Sequence, residues 1–480
     1  MIYDFDYLNS QSLPPVAIIG SGPAGVSLSK TLAQHGIPNL ILEAGGFDWS
    51  DELQETCRGE VVGDEYWELE FSRLKYFGGS SNHWTGFCRP LDTVDFARRD
   101  DLEDHIGWPI QKSDLDPFQS DANEILELPS VKERNVDKDL KEVEFAKSPP
   151  VNFAEKYRTF FETSDLSHLC LNANVLSLTA ENGRVVSIEV SNLAKDTISV
   201  RPKTVVLCMG GIENSRLLLW SNEVSPEPIV QRAETLGKYW MDHPHNIGGH
   251  VEFTHSVGEF SFPWSYSFFA PTEEAMRRYQ ILNACVRVRY GREGASQRGI
   301  KDFARAAICK SRLLSDVVEE TYGKGLTCGT EIELVWEQQA RAENRIELSR
   351  TKTDGFGVPR PLLYWEKSPL DYRTAKVAME LLGRHLAGTG HGWVRSFDHI
   401  IEAKSHPVQG WMAGHHHMGG TRMAERQEVG VVDANLKVFG MDNTYVLGSS
   451  VFPTAGHANP TYTIVQLAVR LGRHLALRPS

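Results

Sequence analysis

Several features that define other classes of protein are missing from this chain of 480 residues. Its seven cysteines are odd in number and scattered, without CxxC spacing, so neither a disulfide framework nor a zinc site is expected. This use of cysteine fits a reducing cytoplasm. The apolar runs are far shorter than a membrane span, and the N-terminus lacks the basic and apolar regions of a secretory signal.

Clusters of lysine and arginine are also missing. The net charge is −13, from 50 basic and 63 acidic residues. This balance argues against nucleic acid or an anionic membrane as the main partner. What remains is a chain that is 41% apolar, which is long enough to build two or more domains with buried cores.

The first fifty residues contain a pattern of strand, glycine-rich turn, helix and second strand. The apolar run 16–19 leads into Gly-Ser-Gly-Pro-Ala-Gly at 20–25, and a helical pattern follows to about residue 35. A second apolar run, 39–42, ends at Glu43. This order and spacing predict a dinucleotide-binding unit, in which the helix N-terminus receives the phosphates.

Each glycine and the acid of this pattern has a physical role in binding a dinucleotide. Gly20 allows the tight turn, Gly22 lets the backbone approach a pyrophosphate, and Gly25 lets the helix pack on the strand. Glu43 would accept hydrogen bonds from the ribose hydroxyls. We therefore predict these four as binding residues, with residues 47–75 as a loop over the dinucleotide.

Two later glycine-containing stretches have similar properties. Residues 77–86 read Phe-Gly-Gly-Ser-Ser-Asn-His-Trp-Thr-Gly, and a strand at 204–208 leads into a second glycine turn and helix at 209–219. Glycine lets backbone N–H groups meet an anion or a planar ring closely. Because His83 and Trp84 follow the first stretch, we interpret it as a pocket wall.

The middle of the chain contains no motif. Residues 131–150 are charged and end in proline, which is typical of a surface linker. Alternating strand patterns and a helix at 371–387 predict a mostly antiparallel sheet with helices over 245–400, including a strand at 345–349 and a helical pattern at 295–322.

Three adjacent histidines near the C-terminus are unusual for a packed core. They lie in Gly-His-His-His-Met-Gly-Gly-Thr-Arg-Met, residues 414–423. In an extended segment, the side chain of His416 would face opposite to those of its two neighbours. A polar surface patch is the alternative, and a metal site is disfavoured because adjacent residues cannot easily converge on one ion.

A helix start follows the histidines. Asn459 is a good N-cap residue and Pro460 is favoured at the first helical position, so we predict a helix from there to about residue 475. His457 lies two residues before Asn459 and could share its face.

Together, these motifs resemble the glucose–methanol–choline (GMC) family of FAD-dependent alcohol oxidoreductases. The matching stretches are 20–25 with 43–45, 78–84, 208–219, 237–244, 416–423 and 446–461. The resemblance implies an α/β fold, with a Rossmann-type FAD-binding domain built from separate segments and an α+β substrate domain with a mostly antiparallel sheet. The corresponding boundaries are 1–95, 165–245 and 405–480 for the FAD domain, 96–164 for a linker and helical excursion, and 246–404 for the substrate domain.

The resemblance also implies roles for individual residues. His416 matches the family's catalytic histidine, and Asn459 matches its second catalytic position, with His457 as the alternative. Further residues implied to contact FAD are Gly79, Ser80, Asn82, His83, Val175, Gly210, Gly448, Ser449, Pro460 and Thr461. The Ser-Asn-His-Trp-Thr run is similar to pyranose oxidases, in which such a histidine carries the flavin covalently. Gly420 departs from the pattern, since many members have threonine there.

The implied reaction is oxidation of an alcohol to a carbonyl. A neutral imidazole near pH 7 suits removal of the hydroxyl proton, and flavin N5 would take the hydride. The expected substrate is a hydroxyl of a sugar, glycoside, polyol or amino-sugar, and the acceptor is O2 or another oxidant. Alternatives are a choline-like or primary-alcohol dehydrogenase and, in another class, a non-catalytic binding protein with a flavoprotein fold.

Overall fold

The computed structural model describes residues 1–10, 12–102, 105–149, 152–253, 266–289, 330–404 and 413–477. Its α-helices are α1 (Pro23–Gln34), α2 (Asp51–Glu55), α3 (Thr93–Phe96), α4 (Gln119–Leu126), α5 (Phe153–Thr163), α6 (Gly210–Val224), α7 (Glu273–Tyr279), α8 (Pro369–Gly388), α9 (Asp398–Glu402) and α10 (Thr461–Ala476). The predicted helix at 295–322 lies outside the described residues.

The strands follow the chain from its first residues to the last helix. They are β1 (Ile2–Tyr3), β2 (Val16–Ile19), β3 (Asn39–Leu42), β4 (Glu60–Gly63), β5 (Phe87–Cys88), β6 (Glu133–Asn135), β7 (Leu140–Val143), β8 (Ala146–Lys147), β9 (Ser167–Cys170), β10 (Asn174–Glu181), β11 (Arg184–Ser191), β12 (Thr197–Val200), β13 (Thr204–Leu207), β14 (His245–Phe253), β15 (Tyr266–Pro271), β16 (Ala284–Arg289), β17 (Thr330–Trp336), β18 (Arg345–Thr353), β19 (Pro359–Trp365), β20 (Gly392–Ser396) and β21 (Thr444–Val446).

A six-stranded parallel sheet carries the predicted dinucleotide-binding unit. Its order is β1-β9-β3-β2-β13-β21, so strands from both ends of the chain meet in one sheet. The central strands are apolar and fully buried, as expected where both faces of a parallel sheet are covered. Strand β2, helix α1 and strand β3 confirm the local prediction for residues 16–42.

A seven-stranded antiparallel sheet forms the second large unit, in the order β20-β14-β17-β16-β15-β7-β6. Helix α8 packs on it through Ala375, Met379 and Leu382, which share a core with Val286 and Leu334. A mostly antiparallel sheet covered by helices is therefore confirmed for this region, and the α/β fold class is confirmed for the chain.

The linker prediction for residues 131–150 is wrong. These residues form β6, β7 and β8, and the first two extend the seven-stranded sheet. Glu133–Asn135 is an edge strand with exposed side chains, and Arg134 is paired with Glu142 across it. Edge strands often carry charged side chains that discourage pairing with other chains, so this strand was mistaken for a solvated linker.

Two further segments differ from the sequence prediction. The strand at 345–349 does not join the seven-stranded sheet, because β18 and β19 form a separate sheet with β4. β4 itself, together with α2, lies in the stretch 47–75 that was predicted as an irregular loop. In the part of the chain that the structure describes, no helix is both long and apolar enough to cross a membrane.

Candidate active site

The glycine turn after β2 has the geometry expected of a dinucleotide site. A Cβ on Gly25 would lie 2.0 Å from the Gly20 carbonyl oxygen, so helix α1 can approach β2 this closely only with glycine there. Glu43 follows β3 and is buried. Its carboxylate accepts hydrogen bonds from the Ser21 N–H (3.0 Å), the Ser21 hydroxyl (2.6 Å) and the Gly45 N–H (3.1 Å).

The second glycine stretch packs directly on this turn. The N–H of Gly78 donates to the Ser21 hydroxyl (3.2 Å), which links the two stretches through one side chain. Gly79 approaches Gly22 so closely that an added Cβ would lie 3.2 Å from the Gly22 Cα. Asn82 turns inward and donates to the Phe77 carbonyl (2.9 Å), so its amide supports the backbone of the stretch.

One cavity of about 530 Å³ connects these turns with the C-terminal histidines. Most of the predicted site residues line it: Gly20, Gly22, Glu43, Gly79, Ser80, His83, Val175, Gly210, His416, Gly448, Ser449, Asn459, Pro460 and Thr461. Gly25 and Asn82 lie behind the wall, where they support the two turns. The first turn of α1, the acid after β3 and the first turn of α10 thus border one continuous space.

This cavity fits FAD by its shape and by the chemistry of its walls. At one end, the first turn of a 12-residue helix and a glycine turn without side chains suit a pyrophosphate. Glu43 at the end of β3 suits a ribose diol. At the other end, Pro460 and Thr461 open a second helix beside the histidines, where N–H groups can meet a ring that gains negative charge.

His416 lines the cavity, and its ring contacts that of a second histidine. Its Nδ1 is 2.9 Å from Nδ1 of His243, which lies two residues before strand β14 begins at His245. Burial, and then the neighbouring His243, hold the pKa of His416 well below its ordinary value. Burial lowers the pKa of His243 to about 4. Both rings are therefore neutral near pH 7, as a proton-accepting imidazole must be.

Asp242 holds the backbone around this pair of rings. Its carboxyl accepts hydrogen bonds from the N–H groups of His243 (2.6 Å) and His416 (2.7 Å) and from the hydroxyl of Tyr66. Burial raises the pKa of Asp242 to about 7, despite these hydrogen bonds. The same carboxyl thus fixes two chain segments that are distant in the sequence.

The neighbours of His416 do not follow the predicted extended alternation. His415 has a φ of +55°, in the left-handed region, so the segment turns there. His415 and His417 also line the cavity. The carbonyl of His417 accepts a hydrogen bond from the Ser449 hydroxyl (2.6 Å), and its ring packs against Trp240. The histidines therefore surround one end of the cavity instead of alternating between two faces.

Asn459 lies at the cavity but does not cap the helix. Its Nδ2 donates to the Phe87 carbonyl (2.8 Å), and α10 begins at Thr461 after Pro460. The N-cap prediction is wrong because this amide is used to bridge to β5. His457 is 1% exposed and hydrogen-bonded to Asp92 (3.2 Å), outside the cavity wall.

The sequence offers four tryptophans, Trp84, Trp240, Trp264 and Trp411, as candidates for stacking on a sugar. Trp84 lines the cavity and contacts Phe153, whereas Trp240 is fully buried in the core. Trp264 and Trp411 lie outside the described residues. Among the described residues, no group of three or more His, Cys, Asp or Glu side chains is arranged to hold a metal ion.

Sequence reasoning assigned no role to His243 and Asp242, although both lie in a stretch that resembles the family. The run Trp-Met-Asp-His-Pro at 240–244 was the available sequence signal, because it places an acid and a histidine among apolar residues. It also missed a paired charge cluster at the cavity wall. Arg73 contacts Glu213, and Arg216 is 2.7 Å from Asp354.

Comparison with known proteins agrees with this geometry. A family model described as GMC oxidoreductase matches residues 340–468, and one described as FAD binding domain matches residues 14–63. The 2-methyl-1,2-propanediol dehydrogenase of Mycolicibacterium austroafricanum is 23% identical over 96% of this chain and 95% of its own length.

Two other matches cover different amounts of the chain. The C-glycoside 3-oxidase of Microbacterium trichothecenolyticum is 30% identical over 32% of this chain and 27% of its own length. The crystal structure of pyridoxine 4-oxidase from Mesorbium loti shares the fold, with a TM-score of 0.61 at 16% identity over 97% of this chain and all of the other.

The fold and the cavity define a flavoprotein with a parallel-sheet FAD-binding domain and a separate antiparallel sheet. Residues 340–468 match the GMC oxidoreductase family model, and the chain is similar to oxidoreductases of this family. It is an FAD-dependent enzyme that oxidises CH–OH groups.

Proposed function

We propose that the chain oxidises a hydroxyl of a polyhydroxylated small molecule, with His416 as the base and Asn459 as its hydrogen-bonding partner. The observation that carries this proposal is that both side chains line the same cavity as the glycine turn and Glu43. A substrate hydroxyl between His416 and Asn459 would therefore lie beside the cofactor.

The residues of the chain divide the work of the reaction. Bound FAD supplies the hydride acceptor, at flavin N5. Neutral His416 accepts the hydroxyl proton. The amide of Asn459, held by the Phe87 carbonyl, orients the substrate oxygen. The N-terminus of the 16-residue helix α10 favours negative charge that develops nearby.

Several relatives support a polyhydroxylated substrate. Their names specify a propanediol, C-glycosides and paromamine, each of which carries more than one hydroxyl. We infer a sugar, glycoside, polyol or amino-sugar as the substrate class. A choline-like or simple primary alcohol is the competing class, and it differs in offering no further hydroxyls to the polar groups of the cavity wall.

A substrate screen with the FAD-loaded enzyme tests this inference. Flavin bleaching is measured without oxygen for sugars, glycosides, polyols, amino-sugars, choline and simple alcohols. We expect polyhydroxylated compounds to bleach the flavin, and choline or a simple primary alcohol acting alone would contradict the proposal. Admitting air to the reduced enzyme then decides between O2 and another acceptor.

We also propose that His83 is an attachment site for the flavin. Its ring lines the cavity next to a glycine stretch, and burial lowers its pKa, so it is neutral and can act as a nucleophile. Acid precipitation of the native enzyme should leave yellow colour in the pellet, and His83→Ala should release it. Colour found entirely in the supernatant of the native enzyme would contradict attachment.

A cytoplasmic location is part of the same proposal. It is supported by the five described cysteines, Cys57, Cys88, Cys170, Cys208 and Cys285, which are buried free thiols. Fractionation of the source cells with an antibody checks it, and recovery from a secreted fraction would contradict it.

A further inference from the structure

His243 and His416 contact each other through the same ring atom. Their Nδ1 atoms are 2.9 Å apart, and the ring planes are nearly perpendicular at 85°. A hydrogen bond at this distance needs one nitrogen that carries hydrogen and one that carries a lone pair. Because both rings are neutral near pH 7, the two rings must hold complementary tautomers.

The other nitrogen of His243 decides which ring donates. Its Nε2 is 3.3 Å from the carbonyl oxygen of Ala455. A carbonyl oxygen can only accept, so Nε2 of His243 carries the hydrogen. In a neutral ring, Nδ1 of His243 is then the acceptor. Nδ1 of His416 must therefore donate to it, and Nε2 of His416 keeps its lone pair.

We propose that His243 is a positioning residue that, through the Ala455 carbonyl, holds His416 in the tautomer whose Nε2 is free to accept the substrate proton. This rests on the proposed role of His416 as the base. His243 does not itself touch the substrate. It fixes Nε2 as the basic atom of His416. The hydrogen bonds that do so lead from the Ala455 carbonyl through His243 to His416.

The backbone around both rings supports this arrangement. Asp242 accepts from the N–H groups of His243 and His416, and the Gly414 N–H donates to the His243 carbonyl (2.9 Å). Met241 and Met418 exchange two hydrogen bonds of 2.8 Å beside them. The two segments are thus joined on both sides of the rings, so the ring contact does not depend on flexible side chains.

The proton transfer strengthens the contact. When Nε2 of His416 takes the hydroxyl proton, the ring becomes cationic, and its Nδ1–H then donates a charge-assisted hydrogen bond to neutral His243. An acceptor for the second N–H also raises the basicity of an imidazole. The titratable groups that surround the pair are Asp242, His245, His415, His417 and His457, and His243 is the one bonded to the ring of His416.

Two substitutions of His243 distinguish the effect of losing the hydrogen-bond acceptor from the effect of changing the side-chain volume. His243→Asn places an amide oxygen near the position of Nδ1 and retains the acceptor. His243→Leu fills similar space without it. Stopped-flow flavin reduction with a substrate from the screen is measured across pH for both, together with the substrate Kd and the absorbance of bound flavin.

We expect His243→Leu to slow flavin reduction about 10- to 100-fold, the effect of one hydrogen bond to a charged group. The substrate Kd should change little, and the acid limb of the pH profile should move to lower pH, because His416 becomes less basic. His243→Asn should recover most of the rate. Equal losses in both variants with an unmoved acid limb would overturn the proposal, because a role in packing alone predicts that result.

A direct reading of the tautomer does not require activity. The 17 histidines are labelled with ¹⁵N in the ring, and solid-state NMR separates protonated from unprotonated nitrogens. The signals that disappear in His416→Asn should be a protonated Nδ1 and an unprotonated Nε2, and they should change in His243→Leu. A protonated Nε2 on His416 in the native enzyme would overturn the proposal. Normal flavin reduction by His416→Asn would instead contradict the proposed function, whichever tautomer is seen.

Discussion

His416 and His457 are both candidate catalytic histidines, but their surroundings differ in kind. The ring of His416 lines the cavity and contacts a neutral ring, that of His243. His457 is 1% exposed and donates from Nε2 to the carboxylate of Asp92 (3.2 Å). Both rings have a lowered pKa because of burial. Of the two, only His416 is on the cavity wall, where a substrate can reach it.

The two nearby carboxyl groups show the same contrast. Asp242 accepts hydrogen bonds from backbone N–H groups and from the hydroxyl of Tyr66, and burial raises its pKa to about 7. Asp92 is also buried, but the hydrogen bond from His457 and the charges of Arg89 and Lys141 hold its pKa well below the ordinary value.

This difference distinguishes a buried polar group that stabilises the fold from one that can take part in proton transfer. Around His457, opposite charges compensate one another, so the cluster ties β5, β7 and the approach to α10 together. Around His416, neutral groups are held by hydrogen bonds, so a proton can be accepted without breaking an ion pair. We therefore expect substitutions near His416 to change the chemistry, and those near His457 to change stability.

Replacement of His416 should have the largest effect on the reaction. His416→Ala should lower the rate of flavin reduction by about 10²- to 10⁴-fold, the usual contribution of a general base. FAD should remain bound, because the glycine turn and Glu43 are untouched, and the flavin absorbance spectrum serves as the control. Near-normal flavin reduction by a variant with flavin bound would contradict the role of His416 as the base.

Replacement of Asp242 should change how stability depends on pH. Burial raises its pKa from an ordinary value of 3.8 to about 7 in the folded chain. A carboxyl whose pKa is raised by folding contributes stability that is fully present below the pKa of the unfolded state. This stability is lost as the pH rises through the pKa of the folded state. Asp242→Asn cannot ionise, so its free energy of unfolding relative to the native enzyme should rise by about 3 kcal/mol between pH 5 and pH 8.

Asp371 provides a matched control for this experiment. It is buried near the start of α8, and burial raises its pKa to about 7 as well. Asp371→Asn should show the same direction of pH dependence in urea unfolding but leave flavin reduction unchanged, since the Asp371 carboxyl accepts hydrogen bonds from the N–H groups of Ser368 and Gln339 rather than from the histidine pair. A pH-independent difference between Asp242→Asn and the native enzyme would contradict the prediction.

His457→Leu should affect stability rather than chemistry. The substitution removes the N–H that donates to Asp92, while Arg89 and Lys141 remain to compensate its charge. We expect a loss of about 2 kcal/mol in the free energy of unfolding, the value of a hydrogen bond to a charged group. Flavin reduction by the folded variant should stay near the native rate. A collapse of that rate with FAD bound would place His457 in the reaction.

Local motifs allowed the dinucleotide half of the site to be predicted from the sequence. Strand β2, the glycine turn, α1 and Glu43 are consecutive, and each residue type has one physical reason to be there. The antiparallel sheet could also be predicted from alternation, apart from β6 and β7, whose charges are those of an edge.

The contacts around His416, the proposed base, could not be predicted in the same way. His243 and His416 are 173 positions apart, and the pairing of β4 with β19 joins Glu60 to Leu362, which is farther still along the chain. Nothing in either local sequence specifies such a pairing. The resemblance to a family pointed to His416 and Asn459, but it did not show which ring nitrogen is free.

Asn459 should give the smallest effect and sharpen the comparison most, because it lies two residues from His457 and yet lines the cavity. Asn459→Ala removes one neutral hydrogen bond to the substrate and should lower kcat/KM about tenfold. Asn459→His keeps a hydrogen-bonding group and should lose less. If Asn459→Ala is unchanged in kcat/KM while His457→Leu loses it, the assignment of the second catalytic position moves to His457.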